Sequence, residues 1–303
     1  MNILITGGSG LIGRHLTRFL KEKGHRVSWL VRSPTAGEIP TYKWSPDQSF
    51  IDESAFRDNE VLIHLAGENV GKGRWTEKRK KQILESRTIG TQLLVNTLAK
   101  IPNSIRTVIC ASAIGYYGDG SDEIFTEASG KGKGFLAEVT EKWEAVAKGF
   151  QLPGVRTITF RIGVVLSKDG GAVPQLALPV KWFVGAPIGD GRQMLSWIHI
   201  QDLCSMLYKA VTDERMTGIY NAVAPTPVDN RTMTKLIAKQ LHRPLFLPPV
   251  PGFVMRLMLG EMAEIVLGGS RVSSDKITQS GFAFSFPDAD SALKDIFASG
   301  SSS

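Results

Sequence analysis

Apolar residues fall in short unbroken runs along the first half of the chain: MNILITG, HRVSWLV, NEVLIHLAG, RTVICASA and RTITFRIGVVL. Runs of this length, with little polar alternation, predict strands buried on both faces, as in a parallel sheet. Between several of them the apolar positions recur at helical spacing. LIGRHLTRFLKEKG predicts a helix closed by Gly24 at its C-terminal end, and residues 76–99 predict a longer one. Residues 134–148 predict another, with Phe135, Leu136, Val139, Trp143, Val146 and Ala147 on one stripe. A stripe of that kind packs the helix against its own domain or against a partner subunit. The alternation of strand and helix predicts βαβ units and an α/β fold, a doubly wound parallel sheet. From about residue 166, glycine and proline punctuate SKDGGAVPQLALPVKWFVGAPIGDGRQ, APTPV and RPLFLPPVPG, which predicts a smaller lobe of short helices and loops. The expected division is 1–165 and 166–303, with a strand near 218–224 returning to the first unit. The tail ASGSSS is expected to be flexible.

Composition narrows the class. With 303 residues, 42% hydrophobic and 21% charged, the chain has room for one large globular domain or two ordinary ones. No apolar run reaches the ~18 residues of a membrane span, so no membrane partner is expected. MNILITGG has no basic start and no small-residue cleavage site, and is expected to be a strand and not a secretion signal. Cys110 and Cys204 lie in apolar segments, as buried free thiols of a reducing, cytoplasmic compartment would. The net charge is +7, and much of the excess sits in GKGRWTEKRKK, where Glu77 alone faces six cations. Such a run is ordinarily a solvated helix face, and no regular basic stripe occurs elsewhere. The expected partner is a small molecule, not nucleic acid.

TGGSGLIG, from Thr6 to Gly13, follows the strand ILI and opens a helix. Gly7, Gly10 and Gly13 permit the tight turn, the close approach of backbone to a pyrophosphate, and close packing of helix on strand, while the helix N-terminus offers amides and a favourable dipole. Thr6, Gly7, Gly8, Ser9, Gly10, Leu11, Ile12 and Gly13 are therefore the expected dinucleotide loop. NAD-binding versions carry an acid at the end of the second strand for the ribose hydroxyls. Here VSWLV is followed by Arg32, whose guanidinium suits a 2′-phosphate, and the expected cofactor is NADP(H). His64 and His199 are isolated and the cysteines form no close pair, so no metal site is expected. No G-x-S-x-G elbow occurs, which removes the obvious hydrolase reading.

Taken together, TGGSGLIG, HLAG at 64–67 and the serine of ASAIGYYG resemble the short-chain dehydrogenase/reductase superfamily of the extended, epimerase-like type. LAGENV, RWTEKRKKQILESR, YYG, KWE, PIGDGRQMLSWIHIQDL and GFAFSFPDADSALKDI are similar to an atypical extended subfamily described as NADP-binding, sugar-nucleotide epimerase-like proteins. The likeness covers nearly the whole chain, including a family-specific C-terminal segment at 247–295. It implies a Rossmann fold with a substrate lobe whose helix begins in WIHIQDL. It also implies that Leu65, Ala66 and Gly67 lie beside the adenosine half of the cofactor, that Gln82 and Arg87 face it, and that Val165 lies near the nicotinamide. Arg192 and Trp197 match positions where epimerase relatives contact the substrate. Extended relatives often dimerise, which implies a homodimer through the 134–148 helix.

The resemblance also exposes a gap. In such enzymes a tyrosine is the general acid/base, a lysine four residues on lowers its pKa and holds the nicotinamide ribose, and a serine orients the substrate. Anchored on Glu144, the pattern Y-x-x-x-K-x-x-x-E puts Leu136 and Thr140 at those two positions. Lys142 is two residues away, about 200° around the helix. Ser112 matches the serine, and Tyr116 and Tyr117 in the following loop are the candidate substitutes. Asp119, Asp122, Glu123 and Glu127 lie downstream. The expected function is an NADP(H)-dependent oxidoreductase or epimerase-like enzyme. The alternative is an NADP(H)-binding regulatory protein without turnover.

Overall fold

The computed structural model describes residues 1–34 and 37–298. Of the tail ASGSSS, only Ala298 lies within the described residues. In chain order the strands are β1 (Asn2–Thr6), β2 (Arg26–Val31), β3 (Thr41–Ser45), β4 (Phe50–Ile51), β5 (Val61–His64), β6 (Thr107–Ala113), β7 (Gly120–Phe125) and β8 (Arg156–Ile162). They continue as β9 (Val164–Ser167), β10 (Gly170–Gly171), β11 (Met194–Leu195), β12 (Trp197–His199), β13 (Gly218–Ala222), β14 (Val228–Asp229) and β15 (Ser270–Val272). The main helices are α1 (Leu11–Glu22), α2 (Glu77–Lys100), α3 (Phe135–Ala147), α4 (Ala172–Lys181), α5 (Ile200–Thr212) and α6 (Asn230–Gln240). Shorter ones follow: α7 (Gly252–Leu259), α8 (Glu264–Leu267), α9 (Asp275–Gln279) and α10 (Ala289–Ala298).

One eight-stranded sheet runs β13-β8-β6-β5-β1-β2-β3-β4, and every pairing in it except β3 with β4 is parallel. Parallel strands covered on both faces need apolar side chains on both, which is why the runs read as continuous. Ile3 and Ile5 meet α1 and α5 on one face, while Leu4, Leu62 and Val108 meet α2 on the other. The protein is thus an α/β, Rossmann-like molecule with a doubly wound sheet.

Two expectations change. RTITFRIGVVL is two strands, because the backbone changes partner at Gly163. Gly163 donates to Ala222 of β13, whereas Val164 donates to Ser196, and β9 then pairs in parallel with β12 in a small separate sheet. The helix opened by WIHIQDL was expected in the substrate lobe. In the structure α5 instead lies against the main sheet, with Leu203, Met206, Leu207 and Ala210 fully buried alongside Leu16 and Leu20 of α1. Those four residues of α5 recur at helical spacing, so the helix presents one apolar face to that cluster.

The last part of the chain is spread widely. β15 pairs in parallel with β7, α9 packs beside β13, and α10 packs on α6. No helix of the described residues is long and apolar enough to cross a membrane. Cys110 and Cys204 are free and buried, and burial pushes both thiols up to about 12.

Candidate functional site

The C-terminal ends of β1, β5, β6 and β8 converge on one rim, where ligands of doubly wound sheets gather. The glycine loop leaves β1 there. Gly7 has φ of +73°, and a side chain on it would come within 2.9 Å of the Ala66 amide nitrogen. The loop therefore passes against the end of β5 with no room for a Cβ. Ser9 and Gly10 are exposed, no side chain caps α1, and its first turn carries no acid. Open amides, a helix dipole and no competing anion suit a pyrophosphate. Leu11 and Ile12 are half-buried and Gly13 is buried in the first turn.

Thr6 ties the loop to its neighbours. Its hydroxyl accepts from the amides of Leu65 and Ala66 (both 3.2 Å) and lies 2.6 Å from Nδ1 of His64. His64 Nε2 lies 2.9 Å from the Thr91 hydroxyl, and Thr91 donates to the Arg87 carbonyl. Only one tautomer satisfies this chain, since Thr91 must accept from Nε2–H and Thr6 must donate to Nδ1. Burial, and secondarily the Arg87 charge, push the His64 pKa down to about 4, so the ring stays neutral as that pattern requires.

Around this core sit the other expected cofactor residues. Arg32, 77% exposed at the end of β2, has Nη2 3.6 Å from a Glu68 oxygen. Arg87 is half-buried, its guanidinium lies 5.2 Å from the Trp143 ring centre, and burial pushes its pKa down to about 10. Gly67 lies against that guanidinium, where a Cβ would come within 3.2 Å. Gln82 is exposed and lies 3.5 Å from Arg79. Val165 lies in β9, whose hairpin with β10 reaches Leu11 at the start of α1 and is held by a 3.1 Å contact between His15 and Asp169.

The rim beyond β6 and β8 carries a buried polar network. Ser112 donates to Glu144 (2.6 Å), and Arg161 grips the same carboxylate with two bonds of 2.8 Å. Arg161 also donates to the Tyr117 hydroxyl (3.0 Å), which donates in turn to Asn221 (2.7 Å). Burial works against the Arg161 charge, but the bonds to Glu144 and Tyr117 hold its pKa above the ordinary arginine value. Burial raises the Tyr117 pKa. Tyr117 is 1% exposed, with its hydroxyl committed at both ends, and its ring stacks on Phe125. That leaves it the packing role and corrects its candidacy as acid/base. Tyr116 is half-buried, with its ring centre 3.5 Å from the Arg161 guanidinium carbon. Leu136 and Thr140 line the inner side of α3, where Thr140 donates back to the Leu136 and Ala137 carbonyls. Lys142 faces solvent. Two of the downstream acids hold backbone: Asp119 accepts from Gly269 and Glu127 from Asn221.

The second-lobe candidates divide. Arg192 is exposed beside the Gly-Asp-Gly turn. Trp197 is fully buried with its indole N–H on the Thr226 carbonyl (3.0 Å), so it has no exposed atom to offer a substrate, and the expectation for it is corrected. The basic run is largely engaged inside the protein. Arg74 donates to the carbonyls of Leu257 (2.9 Å) and Met258 (3.0 Å), Lys80 pairs with Glu77 and Glu261, and Arg79 with Glu68. Sequence reasoning missed Arg161 and Glu68. A signal existed for Arg161, a charge set between TITF and IGVVL inside the run RTITFRIGVVL, unlike Arg156 at the start of that run. Among the described residues, no group of three or more His, Cys, Asp or Glu is placed to hold a metal.

Sheet order and glycine loop define a doubly wound nucleotide-fold protein of the extended type. Residues 3–141 match the model of the NAD dependent epimerase/dehydratase family, and residues 250–296 match a domain of unknown function, DUF1731. The epimerase family protein YfhF of Bacillus subtilis is 38% identical over 301 residues, covering 98% of each chain. The chain belongs to this epimerase family, in the branch that carries the DUF1731 segment. A crystal structure of human epimerase family protein SDR39U1 with NADPH superposes with a TM-score of 0.88 at 32% identity, covering 98% of this chain and 99% of that one. A nucleoside-diphosphate sugar epimerase from Corynebacterium glutamicum superposes at 0.80 with 34% identity, this chain spanning 58% of its length.

Proposed function

We propose that this protein binds NADP(H) along the rim of its main sheet and acts in the cytoplasm as an oxidoreductase or epimerase-like enzyme on a small carbonyl- or hydroxyl-bearing substrate. The observation that carries the reading is the pairing of an open, uncapped glycine loop with Arg32 where NAD-binding relatives carry an acid. The NADPH held by the human relative supports it. The loop would hold the pyrophosphate and Arg32 the 2′-phosphate, with Leu65, Ala66 and Gly67 beside the adenosine, Gln82 and Arg87 facing the cofactor, and Val165 near the nicotinamide. Bound there, the cofactor supplies a hydride donor or acceptor. Tyr116 is the remaining candidate acid/base near Ser112. The substrate lobe is drawn from 166–303 apart from α5 and β13, with Arg192 at its mouth. The nucleotide-sugar epimerase among its structural relatives makes a nucleotide-linked substrate the first class to try.

A second reading is favoured by one observation. Leu136 and Thr140 replace the proton-relay pair, and Ser112 is bonded to a carboxylate already held by Arg161. A chain so built would keep NADP(H) as a regulatory ligand without turnover.

Calorimetric titration with NADPH and with NADH tests the site. Tight NADPH binding is expected, weakened in Arg32→Ala by about 1.5–3 kcal/mol, as for a lost charge-assisted contact. Folded protein that binds neither nucleotide would sink both readings.

A further inference from the structure

Glu68 follows the HLAG strand end and has no part in the function proposed above. Its backbone N–H donates to the Ser86 hydroxyl (3.0 Å), which fixes it against α2. Its two carboxylate oxygens go to different guanidinium groups: one lies 3.1 Å from Arg79 Nη1 on the first turn of α2, the other 3.6 Å from Arg32 Nη2 at the end of β2. Arg79 is only 17% exposed, it donates to the Asn69 carbonyl (2.7 Å), and its buried Nε–H has no acceptor among the described residues. Two guanidinium groups thus converge on one carboxylate and leave a donor over. A phosphate monoester carries up to about twice the charge and three acceptor oxygens, so it satisfies this donor set more fully than a carboxylate does.

We propose that Glu68 is a resident anion holding Arg32 and Arg79 as a two-arginine clamp for the 2′-phosphate, and that it sets how strongly the protein prefers 2′-phosphorylated over plain adenine nucleotides. The inference rests on the NADP(H) reading and extends it. Before the phosphate enters, the carboxylate keeps both guanidinium groups aimed at one point. When it enters, Glu68 must give way, and affinity for the 2′-phosphate is lowered by the strength of the pairs displaced. The Arg32 pair is open to solvent and the Arg79 pair partly so, and such pairs are individually weak, so the tax corresponds to about two- to fivefold in affinity.

The probes are 2′,5′-ADP and 5′-ADP, titrated calorimetrically at fixed ionic strength into wild type, Glu68→Gln, Glu68→Asp and Glu85→Gln. Glu85 lies on α2, the helix of Arg79, paired with Lys81 at 3.7 Å, so its loss changes net charge equally without touching the clamp. The expected result is that Glu68→Gln binds 2′,5′-ADP about two- to fivefold more tightly, Glu68→Asp less so, and Glu85→Gln as wild type, with 5′-ADP unchanged throughout. Glu68→Asp keeps the test readable should Glu68→Gln fail to fold. If wild type prefers 2′,5′-ADP but neither Glu68 variant binds it more tightly, the clamp is wrong and the cofactor reading stands. If both Glu68 variants weaken 5′-ADP, Glu68 receives the ribose hydroxyls and the proposal falls. Wild type binding both probes equally, or neither, overturns the cofactor reading and the clamp with it.

Discussion

His64 stays neutral because every bond it makes requires it. Protonation would put a donor on Nδ1, where the Thr6 hydroxyl must donate, and would charge a fully buried ring. Its pKa falls from 6.5 in the unfolded chain to about 4 in the folded one. Between those values the unfolded chain binds the proton and the folded chain does not. The stability His64 confers is therefore full above about 6.5 and is lost as pH falls toward about 4, a swing of about 3 kcal/mol for that depression. Urea denaturation at pH 7 and pH 4.5 should show wild type losing about 2–3 kcal/mol more than His64→Gln. Equal losses would show that the ring does not carry the pH dependence. At this scale the glycine loop and Arg32 were legible, because a tight turn and a missing acid are local patterns. The Thr6–His64–Thr91 chain was not, since its members are 58 and 27 residues apart and meet only once the sheet is closed.

Helix α3 settles its own register. Glu144 faces inward to Ser112 and Arg161, so Leu136 and Thr140 stand two turns and one turn before it on the same side, and Lys142 points away. The apolar stripe finds its partner inside the chain, with Val139 packed beside Trp75 and Ile83 of the α2 region. The Arg161–Glu144 pair is nearly dry, with side chains 3% and 10% exposed. Removing one member of such a pair strands the other charge. Glu144→Gln should cost about 3–5 kcal/mol in urea denaturation, whereas Glu141→Gln, which loses only an exposed partner of Lys131, should change the midpoint little. A small effect at Glu144 would mean that the network relaxes around the neutral amide. Five strands of the main sheet were legible as apolar runs, but β3 and β4 were not, because TYKWS is mostly polar and FI is two residues long. β7 and β15 were not, because GSDEIF is polar and its partner lies some 150 residues on. The place of α5 was misjudged because its apolar face names no neighbour.

Across the whole molecule, the cationic run expected as a solvated helix face is in large part a seam within the chain. Arg74 caps the last carbonyls of α7, Lys80 pairs with Glu261, and Met262 packs toward Trp75 and Phe135. This seam lays the DUF1731 segment over the entrances of α2 and α3. Arg74→Ala should speed amide exchange through residues 252–268 while leaving exchange in β1 and β5 as in wild type. Unchanged exchange in 252–268 would assign the docking to Met262 and its apolar neighbours instead. The return of a strand near 218–224 to the main sheet was legible, but its place beside β8 was not, since GIYNAVAP carries no mark of its neighbour.

That return has a consequence for how the protein is made. β1 lies inside the sheet, yet the edge of β8 is covered only by β13, at residues 218–222. A chain emerging from the ribosome must therefore carry RTITFRI as an open, apolar strand edge until more than fifty further residues have been added. During that interval the nascent protein is a template for pairing with any other strand it meets, and chaperone attention should concentrate on the last third of its synthesis.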